Sequence, residues 1–144
     1  MDPNFDPLSK AHACIVTKNI ERLRQNWKKF LGIDLTPNFT LEGPAIVRGE
    51  DRGQCKALIA FADIGEMRVE FIQPVEGGTQ EWEFLKQTSS GLHHIDPILP
   101  RHTSLEEHVK QWEERGIKCL QIDKKNGWAY MDTQELLGAV IELH

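Results

Sequence analysis

The sequence has few cysteines, no long apolar run and no cluster of basic residues. Its three cysteines, Cys14, Cys55 and Cys119, are too few and too far apart for a disulfide framework, and we predict that they are small buried hydrophobic side chains. No segment approaches the roughly 20 apolar residues of a membrane-spanning helix. The opening MDPNFDPLSK lacks the basic and apolar regions of a signal peptide, so we expect a cytoplasmic protein with no membrane partner.

The charge balance excludes a further class of partner. The 144 residues include 22 acidic and 17 basic side chains, a formal net charge of -5, and the lysines and arginines form no run or stripe. A surface for nucleic acid needs such a basic patch, so we expect no nucleic-acid partner. A glycine-rich phosphate-binding loop is also missing, so no motif points to a ligand with a nucleotide tail.

What the sequence does contain is one structural unit that occurs twice. The strand HACIV precedes NIERLRQNWKKFLG, where apolar residues recur at helical spacing until Gly32 ends the helix. Much later, the strand GLHHIDPIL precedes SLEEHVKQWEERG, which has a similar apolar stripe and ends at Gly116. Three strands fit after each helix, the last being MRVEFIQP and GAVIELH. Each copy is therefore predicted to be β-α-β-β-β.

We predict an α+β protein in which two such modules form one domain. Residues 1–10 are expected to be an N-terminal arm, 11–76 the first module, 77–90 a linker with a short helix at 80–87, and 91–144 the second module. Each module alone is too small to bury its sheet, so the two should pack together, with a curved mixed sheet around a cleft.

A histidine on the first strand and a glutamate on the last recur in both copies: His12 and Glu70, then His94 and Glu142. Because successive side chains of a strand point to opposite faces, the apolar neighbours of each glutamate should face the helices and the glutamates the other side. The same rule assigns His94 to the glutamate side and its neighbour His93 to the opposite side.

Two imidazoles and two carboxylates on one face form a mixed nitrogen and oxygen set suited to a divalent metal ion, with positions left open for water or substrate. We therefore predict that His12, Glu70, His94 and Glu142 are metal ligands. The set leaves the ion open among zinc, nickel, cobalt, manganese and iron.

Three smaller expectations concern other polar and aromatic residues. Trp128 and Tyr130 alternate on a predicted strand, where they either wall the pocket or, as we expect, pack in the core. His144 shares the parity of Glu142 and either leans towards the cleft or, as we expect, lies in a frayed C-terminus. The segment RGEDRG, residues 48–53, is predicted to be a charged loop, either mobile or a lid on the cleft.

Several motifs resemble the vicinal oxygen chelate superfamily, which pairs βαβββ modules around a metal cleft. HACIVTKNIERL resembles its opening strand and helix, FLKQTSSGLHHI resembles the middle of methylmalonyl-CoA epimerases, and LLGAVIEL resembles the closing strand shared with glyoxalase I. The resemblance implies the same four metal ligands, His12, Glu70, His94 and Glu142, and family habit implies a homodimer. It also implies a small-molecule substrate, either a 2-oxoaldehyde adduct or an acyl-CoA thioester.

Two departures from the family pattern affect the predicted reaction. The epimerases have a glutamate base on the strand before that of Glu70, where CKALIAFADI is apolar, and Glu50 is among the nearest carboxylates. Asp96 and Pro97 stand where the family usually has an apolar pair. We therefore expect an enzyme of the glyoxalase-like type, a lyase or isomerase that removes a proton next to a carbonyl and stabilises the enediolate. Glu142 would be both ligand and base, and Glu70 its possible counterpart.

Three alternatives remain open. One is a methylmalonyl-CoA epimerase-like enzyme in which Glu50 is a displaced base. Another is an extradiol-type dioxygenase with His12, His94 and Glu142 as an iron triad, although Glu70 would fill a position that oxygen and catechol need. The last is a metal-free binding protein of the bleomycin-resistance type, a branch that generally lacks the ligand set.

Overall fold

Eight strands and four helices are present in the computed structural model, which describes residues 2–144. The strands are β1 (His12–Thr17), β2 (Phe39–Val47), β3 (Glu50–Ile64), β4 (Met67–Glu76), β5 (Ser90–Asp96), β6 (Cys119–Asp123), β7 (Trp128–Met131) and β8 (Val140–Leu143). The helices are α1 (Ile20–Leu31), α2 (Gln80–Phe84), α3 (Leu105–Glu114) and α4 (Gln134–Leu137). In this range no helix is long and apolar enough to cross a membrane.

The strands close into a barrel in the order β1-β4-β3-β2-β6-β7-β8-β5. Each half of the chain forms one half of the barrel, and within each half the first and last strands pair in parallel. The halves meet at two antiparallel junctions, β1 with β5 and β2 with β6. The predicted α+β fold, with its repeated β-α-β-β-β unit and curved mixed sheet, is confirmed. Closure turns the expected cleft into the interior of a barrel.

Helix α1 covers the outside of the first half because its sequence defines both ends and one apolar face. The Asn19 side chain accepts a hydrogen bond from the Arg22 backbone at 3.0 Å, and Gly32 ends the helix in the left-handed conformation at φ 68°. Trp27 packs edge-to-face on Phe71 of β4, with ring centroids 4.9 Å apart. The outward Phe71 leaves its neighbour Glu70 on the inner face.

Helix α3 covers the outside of the second half of the barrel. Ser104 caps its first turn by accepting a hydrogen bond from the Glu107 backbone at 3.1 Å. Leu105 and Val109 then pack in a buried cluster with Leu143 of β8. Since Leu143 faces this helix, Glu142 beside it faces the barrel interior.

The N-terminal arm closes one end of the barrel. Phe5 packs against Phe61 with ring centroids 5.2 Å apart, and the Arg68 guanidinium lies 4.4 Å from the Phe5 ring. Arg68 also donates to the Asp6 carbonyl oxygen at 2.6 Å. Pro7 and the half-exposed Leu8 consequently line the interior cavity.

Local details differ from the sequence-based predictions at three places. The segment 48–53 is not a loop: Arg48 and Gly49, with φ of 48° and 79°, form the tight turn of a hairpin, and Glu50 already begins β3. The linker helix ends at Phe84, shorter than predicted, and the one-turn helix α4 was not predicted. The three cysteines are free as predicted, but Cys119 is only half-buried.

Candidate metal centre and cavity

The four predicted ligands lie on four adjacent strands, β4, β1, β5 and β8, at the junction between the two halves of the barrel. The register of strand pairing places them at the same height in the barrel. Cys14 of β1 pairs with Glu70 of β4 on one side and with His94 of β5 on the other. His12 is two residues before Cys14, and Glu142 enters from β8. Residues far apart in the sequence thus meet because the barrel closes between β1 and β5.

Side-chain donor atoms from all four residues lie within 4.8 Å of one another. His94 Nε2 is 3.5 Å from Glu70 Oε1 and 3.4 Å from Glu142 Oε2. His12 Nε2 is 3.9 Å and 3.7 Å from the same two oxygens. Ligand atoms about 2.0–2.2 Å from a metal ion are separated from one another by roughly 3–3.5 Å, so a small inward movement would complete such a site.

Three of these donor atoms have no hydrogen-bond partner although they are buried: His12 Nε2, Glu70 Oε1 and His94 Nε2. Buried polar atoms are rarely left unpaired, because an unpaired group costs roughly 1–3 kcal/mol. Their convergence fits a divalent cation, which would satisfy all three at once. As ligands the four residues remain a prediction, and the structure brings all of them together.

In the absence of an ion, the histidines and glutamates of this set shift one another's pKa values, so a metal ion would take the place of the protons on the two imidazoles. Burial raises the pKa of Glu142, but His94, His12 and His144 outweigh this effect and hold the pKa well below its ordinary value. Glu142 is therefore a carboxylate at neutral pH, the form that binds metal. Burial lowers the pKa of His94, whereas its neighbours Cys14 and Glu142 raise the pKa well above the ordinary value.

The expectation for His93 was wrong. Between β1 and β5 the pairing passes from Cys14 with His94 to Ile15 with Leu92, which leaves His93 in a β-bulge. The bulge turns His93 inwards beside His94, and their Nδ1 atoms are 2.9 Å apart. Burial and the adjacent His94 lower the pKa of His93 to about 3. A neutral His93 can accept a hydrogen bond from the N–H of His94 Nδ1, and in that tautomer His94 Nε2 is free to bind a metal.

His144 does not lie in a frayed terminus, as was expected. It pairs with the buried carboxylate of Asp96, and its Nε2 is 3.4 Å from Glu142 Oε2. Burial lowers the pKa of His144, but the hydrogen bonds to Asp96 and Glu142 raise it to about 10. Asp96, the departure from the family pattern, therefore lies beside the four-residue set with His144 as its counterion.

A cavity of about 230 Å³ opens next to these residues, and His12, Glu70, Glu142 and His144 line it. Much of its lining is apolar and includes Phe39, Leu41, Ala57, Ile59, Phe61 and Ile72. Its volume is slightly below that of typical ligand pockets, so it suits a small molecule.

Trp128 and Tyr130 both line this cavity. Both also pack in the core as expected, since Tyr130 is buried and the half-buried Trp128 packs against its cluster. Tyr130 lies over His94 with ring centroids 4.7 Å apart. Its hydroxyl donates to Glu81 Oε1 at 2.7 Å. Sequence reasoning missed Glu81, because nothing in TQEWEF shows that one glutamate of a linker helix points into a barrel.

Glu50 lies elsewhere. It begins β3 next to the hairpin turn, where its exposed carboxylate is 2.8 Å from the Arg52 guanidinium. It does not line the cavity. The structure therefore does not bring Glu50 together with the four predicted ligands.

Comparison with known families gives a match over most of the chain. Residues 11–133 match the family described as the glyoxalase/bleomycin resistance protein/dioxygenase superfamily. The chain belongs to this superfamily. Its members include metal-dependent isomerases, lyases and dioxygenases as well as binding proteins without enzymatic activity. A comparison with curated protein sequences found no significant match.

Several solved structures resemble this fold. A hypothetical protein from Bacillus halodurans C-125 is 21% identical with a TM-score of 0.58, over 91% of this chain and 88% of that one. Methylmalonyl-CoA epimerase from Mycobacterium tuberculosis is 12% identical with a TM-score of 0.57, covering 92% and 83%. The Streptomyces coelicolor epimerase, in complex with 2-nitronate-propionyl-CoA, is 13% identical with a TM-score of 0.58, covering 92% and 90%. At these identities the likeness supports the fold alone.

Proposed function

We propose that this chain is a metal-dependent lyase or isomerase of the glyoxalase-like type, which moves a proton on a carbon next to a carbonyl group. The observation that carries the proposal is the set His12, Glu70, His94 and Glu142, whose buried and mostly unpaired donor atoms converge beside a small cavity. A divalent ion held there would supply Lewis-acid stabilisation of the oxygen on which negative charge develops.

Two carboxylates are placed to move the proton. Glu70 and Glu142 both line the cavity, and their oxygens lie at similar distances, 3.5 and 3.4 Å, on either side of His94 Nε2. We assign Glu142 the role of base and Glu70 the return of the proton, because both carboxylates line the cavity beside the predicted metal ligands. The apolar side chains that line the cavity would hold the carbon skeleton and exclude water from the site.

The alternatives receive less support. A metal-free binding protein gives no reason for four converging donors. The exposed position of Glu50 does not support its role as the base of an epimerase. For an extradiol-type dioxygenase, Glu70 lies 3.5 Å from His94 and occupies space that oxygen and catechol would need.

Solvent deuterium exchange tests the proposed reaction. Zinc-, nickel-, cobalt-, manganese- and iron(II)-loaded protein is incubated in D₂O with 2-oxoaldehyde hemithioacetals and with acyl-CoA thioesters, and deuterium next to the carbonyl is measured by mass spectrometry. We expect exchange into hemithioacetal-derived product, lost in Glu142→Gln and kept in Glu114→Gln, a variant of an exposed glutamate. Absence of exchange with every ion and compound would refute the proposal, as would full exchange in Glu142→Gln.

A further inference from the structure

The cavity is also lined by a second group of unpaired polar atoms, which belong to none of the four predicted ligands. Thr79 Oγ1, Glu81 Oε2 and Trp128 Nε1 are buried without a hydrogen-bond partner, and all three residues line the cavity. Glu81 and Thr79 are more than nine-tenths buried. Buried polar atoms that share a cavity and lack partners indicate a missing ligand group or water.

Helix α2 holds Glu81 in this position. Its backbone is tied to β6, because the Gln80 N–H donates to Gln121 Oε1 at 2.8 Å. On the outside, Glu83 accepts hydrogen bonds from Arg48 at 2.9 and 2.7 Å and from Gln80 at 2.8 Å. Two glutamates of one short helix thus differ: Glu83 is fully paired, whereas Glu81 has one donor, Tyr130, and one free oxygen.

Tyr130 contacts both groups of residues. Its ring lies over His94, its hydroxyl donates to Glu81, and Trp128 packs on it with ring centroids 4.8 Å apart. Tyr130 cannot satisfy Glu81 Oε2, since its single proton is already used on Oε1. A substrate that reached both groups would lie alongside this ring.

We propose that Thr79, Glu81 and Trp128 form a second subsite that binds a hydroxyl group at the end of the substrate remote from the four predicted metal ligands. The proposal rests on the proposed function, and it defines the substrate class as a short aliphatic compound with vicinal oxygens at one end and a hydroxyl at the other.

The chemistry of the three side chains selects the hydroxyl. A carboxylate accepts and never donates, an indole N–H donates and never accepts, and a threonine hydroxyl does either. A hydroxyl can donate to Glu81 and accept from Trp128. An ammonium leaves Trp128 without a partner, and a second carboxylate is repelled by Glu81 and the neighbouring cavity residue Asp123.

Hydroxamates that differ only in their terminal group test the proposal, because a hydroxamate presents two vicinal oxygens to a metal ion. Straight-chain hydroxamates ending in methyl, hydroxyl, ammonium or carboxylate are titrated calorimetrically into zinc-loaded wild-type protein. We expect the hydroxyl compound to bind about tenfold more tightly than the methyl compound, and the carboxylate to bind most weakly. This series needs no variant and so does not depend on a variant's folding.

Variants then identify which residues produce the preference for a terminal hydroxyl. The preference for hydroxyl over methyl should disappear in Glu81→Leu and decrease in Trp128→Phe, and it should persist in Glu83→Gln. Equal binding of the methyl and hydroxyl compounds would overturn the subsite and leave the proposed function standing. Tightest binding of the ammonium compound, or an undiminished preference in Glu81→Leu, would also overturn it. If no hydroxamate binds, the proposed function fails, and the subsite with it.

Discussion

Two buried charged clusters on the inner side of the barrel differ in one respect. Around Arg68, donors and acceptors match: the guanidinium donates to Asp63 at 2.7 and 3.0 Å, to the Asp6 carbonyl at 2.6 Å and to Ser9 at 3.3 Å. Around His94, buried atoms face one another without partners. The Arg68 cluster is complete as it stands and holds the N-terminal arm. The His94 cluster is incomplete, and this difference separates a structural charge network from a ligand site.

The largest expected effect comes from removing a donor in the incomplete cluster. Because His94→Ala deletes one of four predicted ligands, it should lower the affinity for the divalent ion by more than about a hundredfold. After dialysis the bound ion should therefore fall from about one per chain to none. Elemental analysis after dialysis against zinc measures this loss, and His102→Ala, an exposed histidine, serves as the matched control. Retention of the ion by His94→Ala at wild-type affinity would contradict the assignment.

Removing the central charge of the complete cluster should instead affect stability. Arg68→Ala removes the hydrogen bonds of the guanidinium to Asp63 and to the Asp6 carbonyl, which keep only the weaker Lys10 pair at 3.5 Å and the local Ser9 hydroxyl at 2.8 Å. The free energy of unfolding should fall by about 2 kcal/mol, less than for a fully buried pair because Asp63 is 40% exposed. Urea denaturation measures this change against Arg22→Ala, an exposed arginine. Binding of one ion per chain should persist. A variant as stable as the control would show that the Arg68 network does not hold the arm.

A smaller effect is expected from the residue behind the incomplete cluster. His93→Ala removes the acceptor for His94 Nδ1 and should weaken zinc binding by about tenfold while one ion per chain still binds at saturation. Competition with a chromophoric chelator measures the affinity, and His93→Asn, which restores an acceptor, should recover part of it. Complete loss of the ion in His93→Ala would make His93 a ligand, and wild-type affinity would show that the bulge does not orient His94.

The sequence allowed the convergence of the four predicted ligands to be predicted because they recur at equivalent places in a repeat, although each one alone carries a weak signal. Glu70 and Glu142 stand alone within apolar strands, and the repeat places His12 and His94 at equivalent positions. His93 was misassigned because strict alternation fails at a bulge, and this bulge arises from pairing with β1, which the local sequence does not encode. The same limit applies to Glu81 and His144: barrel closure, a long-range effect, brings the linker helix and the C-terminus to the cavity.

The smallest effect concerns the pH response of the complete cluster. Hydrogen bonds from Arg68 lower the pKa of Asp63 below its ordinary value, against the opposing effect of burial. A lowered pKa contributes stability that is fully present above the unfolded-state value, about 3.9, and is lost as pH falls through the folded-state value.

Asp63→Asn should therefore reduce the free energy of unfolding at neutral pH by at most about 1 kcal/mol, because Asp63 is partly exposed. In this variant the free energy of unfolding should also decrease less steeply as the pH falls below about 5. Unfolding curves across this range, with the exposed Asp132→Asn as control, measure the difference. An unchanged slope would mean that Asp63 gains nothing from Arg68. Zinc affinity at the His94 cluster should decrease with falling pH equally in Asp63→Asn and Asp132→Asn. Imidazoles and carboxylates that become protonated cannot act as ligands, and this loss does not depend on Asp63.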